Sequence, residues 1–86
     1  MSAPQLLVVE DDTALREALC DTLTLAGYSV ATAADGRAAL DLIDRSEIAL
    51  VVSDVRMLPM DGQTLLRHIK ERRPELPVLM MTAFGT

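Results

Sequence analysis

Aromatic residues are almost missing from this chain: Tyr28 and Phe84 are the only two, and there is no tryptophan. Its core must therefore be aliphatic, built from Leu, Val, Ile, Ala and Met. Bases are also scarce, eight against thirteen acids for a net charge of −5. That balance argues against direct nucleic-acid binding, which calls for a basic face and often for stacking aromatics. Cysteine is reduced to Cys20, which excludes an internal disulfide and suits a reducing cytosol. No apolar run reaches the ~18 residues of a membrane span. The start, Met1-Ser2-Ala3-Pro4, lacks the basic segment and apolar stretch of a secretory signal. At 86 residues the chain has room for one domain. A single cytoplasmic domain, meeting neither nucleic acid nor membrane directly, is the expectation.

Apolar runs alternate with helical patterns. Gln5–Val9 and Ile48–Val52 are short, continuous and partly β-branched, which predicts strands buried on both faces. Tyr28–Ala33 and Leu76–Met81 read as two further strands. Between them, Asp12 stands where a helix N-cap belongs. Leu15, Ala18, Leu19, Leu23 and Ala26 follow at helical spacing, and Gly27 sits where the helix should end. Asp35-Gly36 opens a second helix carrying Ala39, Leu40 and Ile43, and Leu65, Leu66 and Ile69 mark a third that stops before Pro74. The order β-α-β-α-β-α-β predicts an α/β fold, a parallel sheet with right-handed crossovers and helices on both faces. Such sheets bind ligands beyond the carboxyl ends of their strands.

Three strand ends carry polar chemistry. Glu10-Asp11-Asp12 follows the first strand, Asp54 ends the third, and Thr82 follows the fourth. If the first and third strands are neighbours, their carboxylates converge, and the repulsion must raise a pKa or be met by a cation. An oxygen-only ligand set without His or Cys favours a hard ion, Mg²⁺ foremost. A carboxylate beside such an ion can attack a phosphoryl group, and the Thr82 hydroxyl could donate to a phosphoryl oxygen. The plainer reading makes Asp12 a cap and Glu10-Asp11 a solvated turn. Agreement of three strand ends at one edge favours the site.

Leu7-Val8-Val9-Glu10-Asp11-Asp12, Ser53-Asp54-Val55-Arg56-Met57, Met60-Asp61-Gly62 and Met81-Thr82-Ala83 resemble the receiver domain of bacterial two-component response regulators. The stretch Leu79–Thr86 is most similar to receivers of the nitrogen-regulator class, which head enhancer-binding transcription activators. Glu10–Arg16 is similar to flagellar regulators of that class. The resemblance implies a flavodoxin-like (CheY-like) fold and a phosphorelay module that is a switch rather than an enzyme. It implies that Asp54 accepts a phosphoryl group from a sensor histidine kinase, and that Mg²⁺ is held by Asp11, Asp54 and the backbone carbonyl of Arg56, with Glu10 acting through a metal-bound water. Thr82 matches the switch hydroxyl, and Ala83 the small residue beside the phosphate. A second receiver is a further partner the family admits.

Two departures stand out. The proline after the phosphoacceptor turn comes one residue late, at Met57-Leu58-Pro59, so Leu58 rather than Met57 is pushed to an extended conformation. The resemblance also implies that residues 1–86 are the N-terminal two thirds of a receiver, an incomplete sheet ending after the fourth strand. The lysine that family members carry on a fifth strand then has no counterpart, and Leu76–Met81 is expected at a sheet edge. Lys70, the only lysine, reads as a solvated helix-face charge. His68 reads as a surface residue, Cys20 as packing, and Arg72-Arg73 as complements to a helix dipole. The alternative function is a truncated docking module that binds a kinase or receiver without being phosphorylated. A dinucleotide-binding enzyme is disfavoured because Asp11-Asp12-Thr13-Ala14 has no glycine to admit a phosphate.

Overall fold

In the computed structural model, which describes residues 5–54 and 61–81, the chain runs β1 (Gln5–Val9), α1 (Thr13–Leu25), β2 (Ser29–Ala33), α2 (Gly36–Arg45), β3 (Ile48–Asp54), α3 (Gly62–Arg72) and β4 (Val78–Met81). The four strands form one parallel sheet in the order β2-β1-β3-β4. The chain moves one way from β1 to β2 and the other way from β2 to β3, so right-handed crossovers put α1 on one face and α2 and α3 on the other.

Aspartates begin all three helices. Asp12 accepts a hydrogen bond from the Leu15 amide at 3.0 Å, Asp35 from Ala38 at 2.8 Å and Asp61 from Thr64 at 2.8 Å. Each satisfies an amide that has no partner within its own helix. The Thr64 amide also holds the Asp61 carboxyl below its usual value. Helix α1 ends in a Schellman turn: Tyr28 N–H donates to Leu23 O and Gly27 N–H to Thr24 O, with Gly27 at φ +102°. That turn consumes the Tyr28 amide, which is why β2 begins at Ser29 and not at the expected Tyr28. The fourth strand likewise starts later than Leu76. The Leu76 amide is spent on Arg73 O and Pro77 has none to give, although the Pro77 carbonyl already accepts from Val51 N–H.

The two faces are unequally closed. Leu7 and Val9 of β1, Val51 of β3, Ala39 and Ile43 of α2, and Leu65 and Ile69 of α3 form a single buried cluster with Leu76. Ile48 joins it because the register slips at Ala49: Gln5 pairs with Ile48 but Leu6 with Leu50. The slip turns Ile48 to the same side as Val51. Each fully buried aliphatic side chain here contributes about 1.5–3 kcal/mol.

Helix α1 has no buried residue. The stripe expected to face a core is only half-covered at Leu19 and Leu23, and Leu15 remains 40% exposed. Among the described residues no second helix flanks α1 on its face. At the other margin β4 is an edge strand of the described sheet, with Leu79 56% exposed.

Lys70 is exposed, as expected of a solvated helix-face charge, but it also makes two backbone contacts. Its ammonium donates to Leu76 O at 2.5 Å and Pro74 O at 3.4 Å, clamping the turn from α3 into β4. His68 is partly exposed and pairs with Glu71, Arg72 pairs with Asp44 and Arg73 with Glu75. Cys20 is half-buried, its Sγ 4.0 Å from Thr24 Oγ1.

We expect Gly27→Ala to destabilise the fold by about 1–2 kcal/mol through backbone strain alone. A Cβ at that position meets nothing within 4 Å. Denaturant unfolding of the two proteins checks this; an unchanged midpoint would contradict the left-handed turn.

Candidate functional site

Register sets the site. Val9 lies opposite Ser53, and Asp54 opposite Met81, so β1, β3 and β4 end side by side. Glu10, the residue after β1, continues the ladder by donating its amide to Ala33 O at 3.1 Å. Its side chain curls under the following turn, where Oε2 accepts the Asp12 amide at 3.0 Å. From the first turns of α1, the Arg16 guanidinium reaches back and donates to the Glu10 carbonyl at 2.8 Å. The buried Ser53 hydroxyl donates to the Asp54 carbonyl at 3.1 Å.

Glu10, Asp11 and Asp54 come together, each offering a carboxylate oxygen, and these atoms all lie within 4.8 Å of one another. Asp11 is exposed, whereas Glu10 and Asp54 are 2% and 5% exposed. Glu10 Oε1 is buried and finds no hydrogen-bond donor among the described residues. A buried carboxylate with one unpartnered oxygen, gathered with two further carboxylates, is the surrounding a hard cation suits. Arg56, Thr82, Ala83 and the Met57-Leu58-Pro59 turn lie outside the described residues.

A second concavity, a groove of about 400 Å³ between α2 and α3, is lined by Arg37, Leu40, Asp41, Asp44, His68 and Arg72. Its acids are already compensated, Asp41 by Arg45 and Asp44 by Arg72. The strand-end cluster instead gathers three carboxylates within 4.8 Å of one another, two of them on buried residues. It remains the stronger candidate.

Burial pushes the Glu10 carboxyl from its ordinary 4.5 up to about 7. The Asp12 amide opposes the rise, while the Asp11 and Asp54 carboxylates add to it. An acid raised in the folded state holds its proton there and loses it on unfolding. The Glu10 contribution to stability is therefore greatest below pH ~4.5 and falls as pH rises toward ~7.

We expect Glu10→Gln, in the presence of a chelator at pH 8, to be more stable than the parent by about 1–3 kcal/mol. The difference should shrink as pH falls toward 5. A variant less stable than the parent at pH 8 would show that burial does not penalise the Glu10 charge.

Comparison with known proteins agrees with this geometry. Residues 6–86 match the response regulator receiver domain. The chain is 52% identical over 83 residues to the response regulator protein FleR of Pseudomonas aeruginosa, covering 96% of this chain and 18% of FleR. It is 43% identical over 81 residues to the transcriptional regulatory protein GlrR of Escherichia coli, covering 94% of this chain and 18% of GlrR. The chain thus spans under a fifth of the length of these relatives. Both matches agree with the resemblance to the nitrogen-regulator class. Among solved structures, the response regulator TrrA of Thermotoga maritima in complex with Mg(2+)-BeF superposes with a TM-score of 0.90 at 28% identity, covering 96% of this chain and 72% of TrrA. With the family matched along nearly its whole length and the sheet of the same CheY-like kind, this chain belongs to the receiver domains of two-component response regulators.

Proposed function

We propose that residues 1–86 act as the phosphoacceptor part of a receiver domain, with Asp54 as the residue that is phosphorylated. The observation that supports this is the buried Glu10 Oε1, without a donor among the described residues, on a side chain whose carboxylate gathers with those of Asp11 and Asp54. Three carboxylates at the end of two neighbouring strands are expensive to keep ionised. Such an arrangement is understandable where a divalent cation is bound. Glu10, Asp11, Asp54 and the Arg56 carbonyl would hold it, and the similar TrrA was solved with Mg(2+)-BeF. When bound, Mg²⁺ supplies positive charge that offsets the negative charge of both carboxylate and phosphoryl oxygens.

The chain's own groups would do the rest. An Asp54 carboxylate oxygen attacks the phosphorus of a phosphohistidine on a partner kinase. The P–N bond breaks, and the imidazole nitrogen leaves with the electron pair. Strand β3 holds Asp54 at the sheet edge, where its backbone is paired to β4 through Met81, and the low exposure of Asp54 limits water at the acyl phosphate. Glu10 maintains the local charge that favours a cation, and Thr82 would donate its hydroxyl to a phosphoryl oxygen. The relatives named as regulators support an output in transcription control, reached from the cytoplasm through a sensor histidine kinase. Among the described residues, no helix is long and apolar enough to cross a membrane.

Incubation with Mg²⁺ and a small acyl-phosphate donor should add the mass of one phosphoryl group. Asp54→Asn and a chelator should each abolish the gain, and Glu10→Gln should reduce it. A gain that survives in Asp54→Asn would contradict the assignment. No gain in the parent protein would instead favour a docking module that works unphosphorylated.

A further inference from the structure

We propose that Arg16 is a positioning residue for the acidic site, locking the peptide unit between Glu10 and Asp11 so that both carboxylates converge on Asp54. The proposal rests on the reading of that cluster as a divalent-cation site.

The Glu10 carbonyl lies just past the last strand residue. Its only hydrogen bond among the described residues comes from Arg16 Nη1 at 2.8 Å. This carbonyl and the Asp11 amide belong to one planar peptide unit. A rotation of that plane moves Glu10 and Asp11 together, the two acids that must reach the same ion. The other restraints act on either side of it. Glu10 N–H is tied to Ala33 O, the Asp12 amide to Glu10 Oε2, and the Asp12 carboxylate to the Leu15 amide. The Arg16 amide itself donates to Asp12 O at 2.9 Å as the first helical bond. Arg16 therefore grips the turn twice, by its backbone on one side of Asp11 and by its side chain on the other.

A simple electrostatic role for Arg16 would have the opposite sign. A guanidinium near a cation site repels the cation, so removing its charge alone would tighten Mg²⁺ binding. Removing a positioning bond weakens it, because the ligands no longer hold their geometry. Loss of an outer partner that orients metal ligands typically costs tenfold or more in affinity. Arg16 acts on the backbone rather than on a ligand oxygen, so the low end of that range applies.

The test is a Mg²⁺ titration at pH 8 and fixed ionic strength, followed by backbone amide NMR shifts, with MgCl₂ as the probe. Arg16→Met keeps the apolar stem and removes the donor. Arg16→Gln, a second helix-compatible variant too short to reach, guards against a folding failure of the first. We expect Mg²⁺ binding about tenfold weaker in both, with Arg16→Lys, which restores a donor, recovering most of the loss. A melting temperature measured in chelator separates this from general destabilisation. A purely structural Arg16 would lower that temperature and leave the Mg²⁺ dissociation constant unchanged. An unchanged or tightened dissociation constant in the variants overturns the proposal while leaving the site intact. A parent protein whose amides do not respond to Mg²⁺ overturns the site reading, and the proposal with it.

Discussion

Pairing of Val9 with Ser53 is the constraint on which the rest depends. Strand faces alternate with a period of two, so a slip of one residue would turn Leu7 and Val51 away from α2 and α3 and expose the core. The aliphatic cluster therefore fixes the register, and the register fixes which residues emerge at the carboxyl edge. Those residues are Glu10 and Asp54. The chain puts mutually repelling carboxylates at a partly dry edge because apolar burial beneath them holds the strands in place. Apolar burial in the core offsets this local electrostatic strain, and under the proposed function a bound cation would relieve it.

The sheet's two faces serve this arrangement differently. Helices α2 and α3 close one face with side chains that have no exposed surface to speak of, and they anchor the register. Helix α1 contributes no buried residue, yet it carries the cap Asp12 and the Arg16 side chain that reaches the Glu10 carbonyl. An element with little burial opens at low free-energy cost. The geometry of the acids is thus joined to how firmly the least buried helix is docked. Displacement of α1 would be felt at the site through the Glu10–Asp11 peptide.

Much of this was legible in the sequence, for definite reasons. Continuous β-branched runs at Gln5–Val9 and Ile48–Val52 located the two central strands, and the aspartates at 12 and 35 marked helix starts, because both signals are local. The convergence of Glu10, Asp11 and Asp54 was legible only on condition that the first and third strands are neighbours, which the β1–β3 pairing meets. What the sequence hid depends on where individual amides are spent. The Tyr28 amide goes to a helix-ending turn and the Leu76 amide to Arg73 O, so two strands begin later than their apolar runs. Long cationic side chains carry no periodic signal either. Lys70 is the exposed charge its position suggests, yet its ammonium also closes the α3–β4 turn, and nothing in the run Glu10–Arg16 signals that Arg16 bonds a backbone carbonyl six residues back. The apolar stripe of α1 has the right spacing for a core, but spacing does not reveal that among the described residues only the sheet packs against it.

The central claim is that folding crowds three carboxylates whose repulsion a divalent cation relieves. Its most direct measurement is the unfolding free energy as a function of Mg²⁺ at pH 8 and constant ionic strength. A cation that binds only the folded edge should stabilise the protein by about 2.7 kcal/mol at ~100 times its dissociation constant. Asp11→Asn or Asp54→Asn should diminish the gain. An unfolding free energy indifferent to Mg²⁺ would contradict the claim.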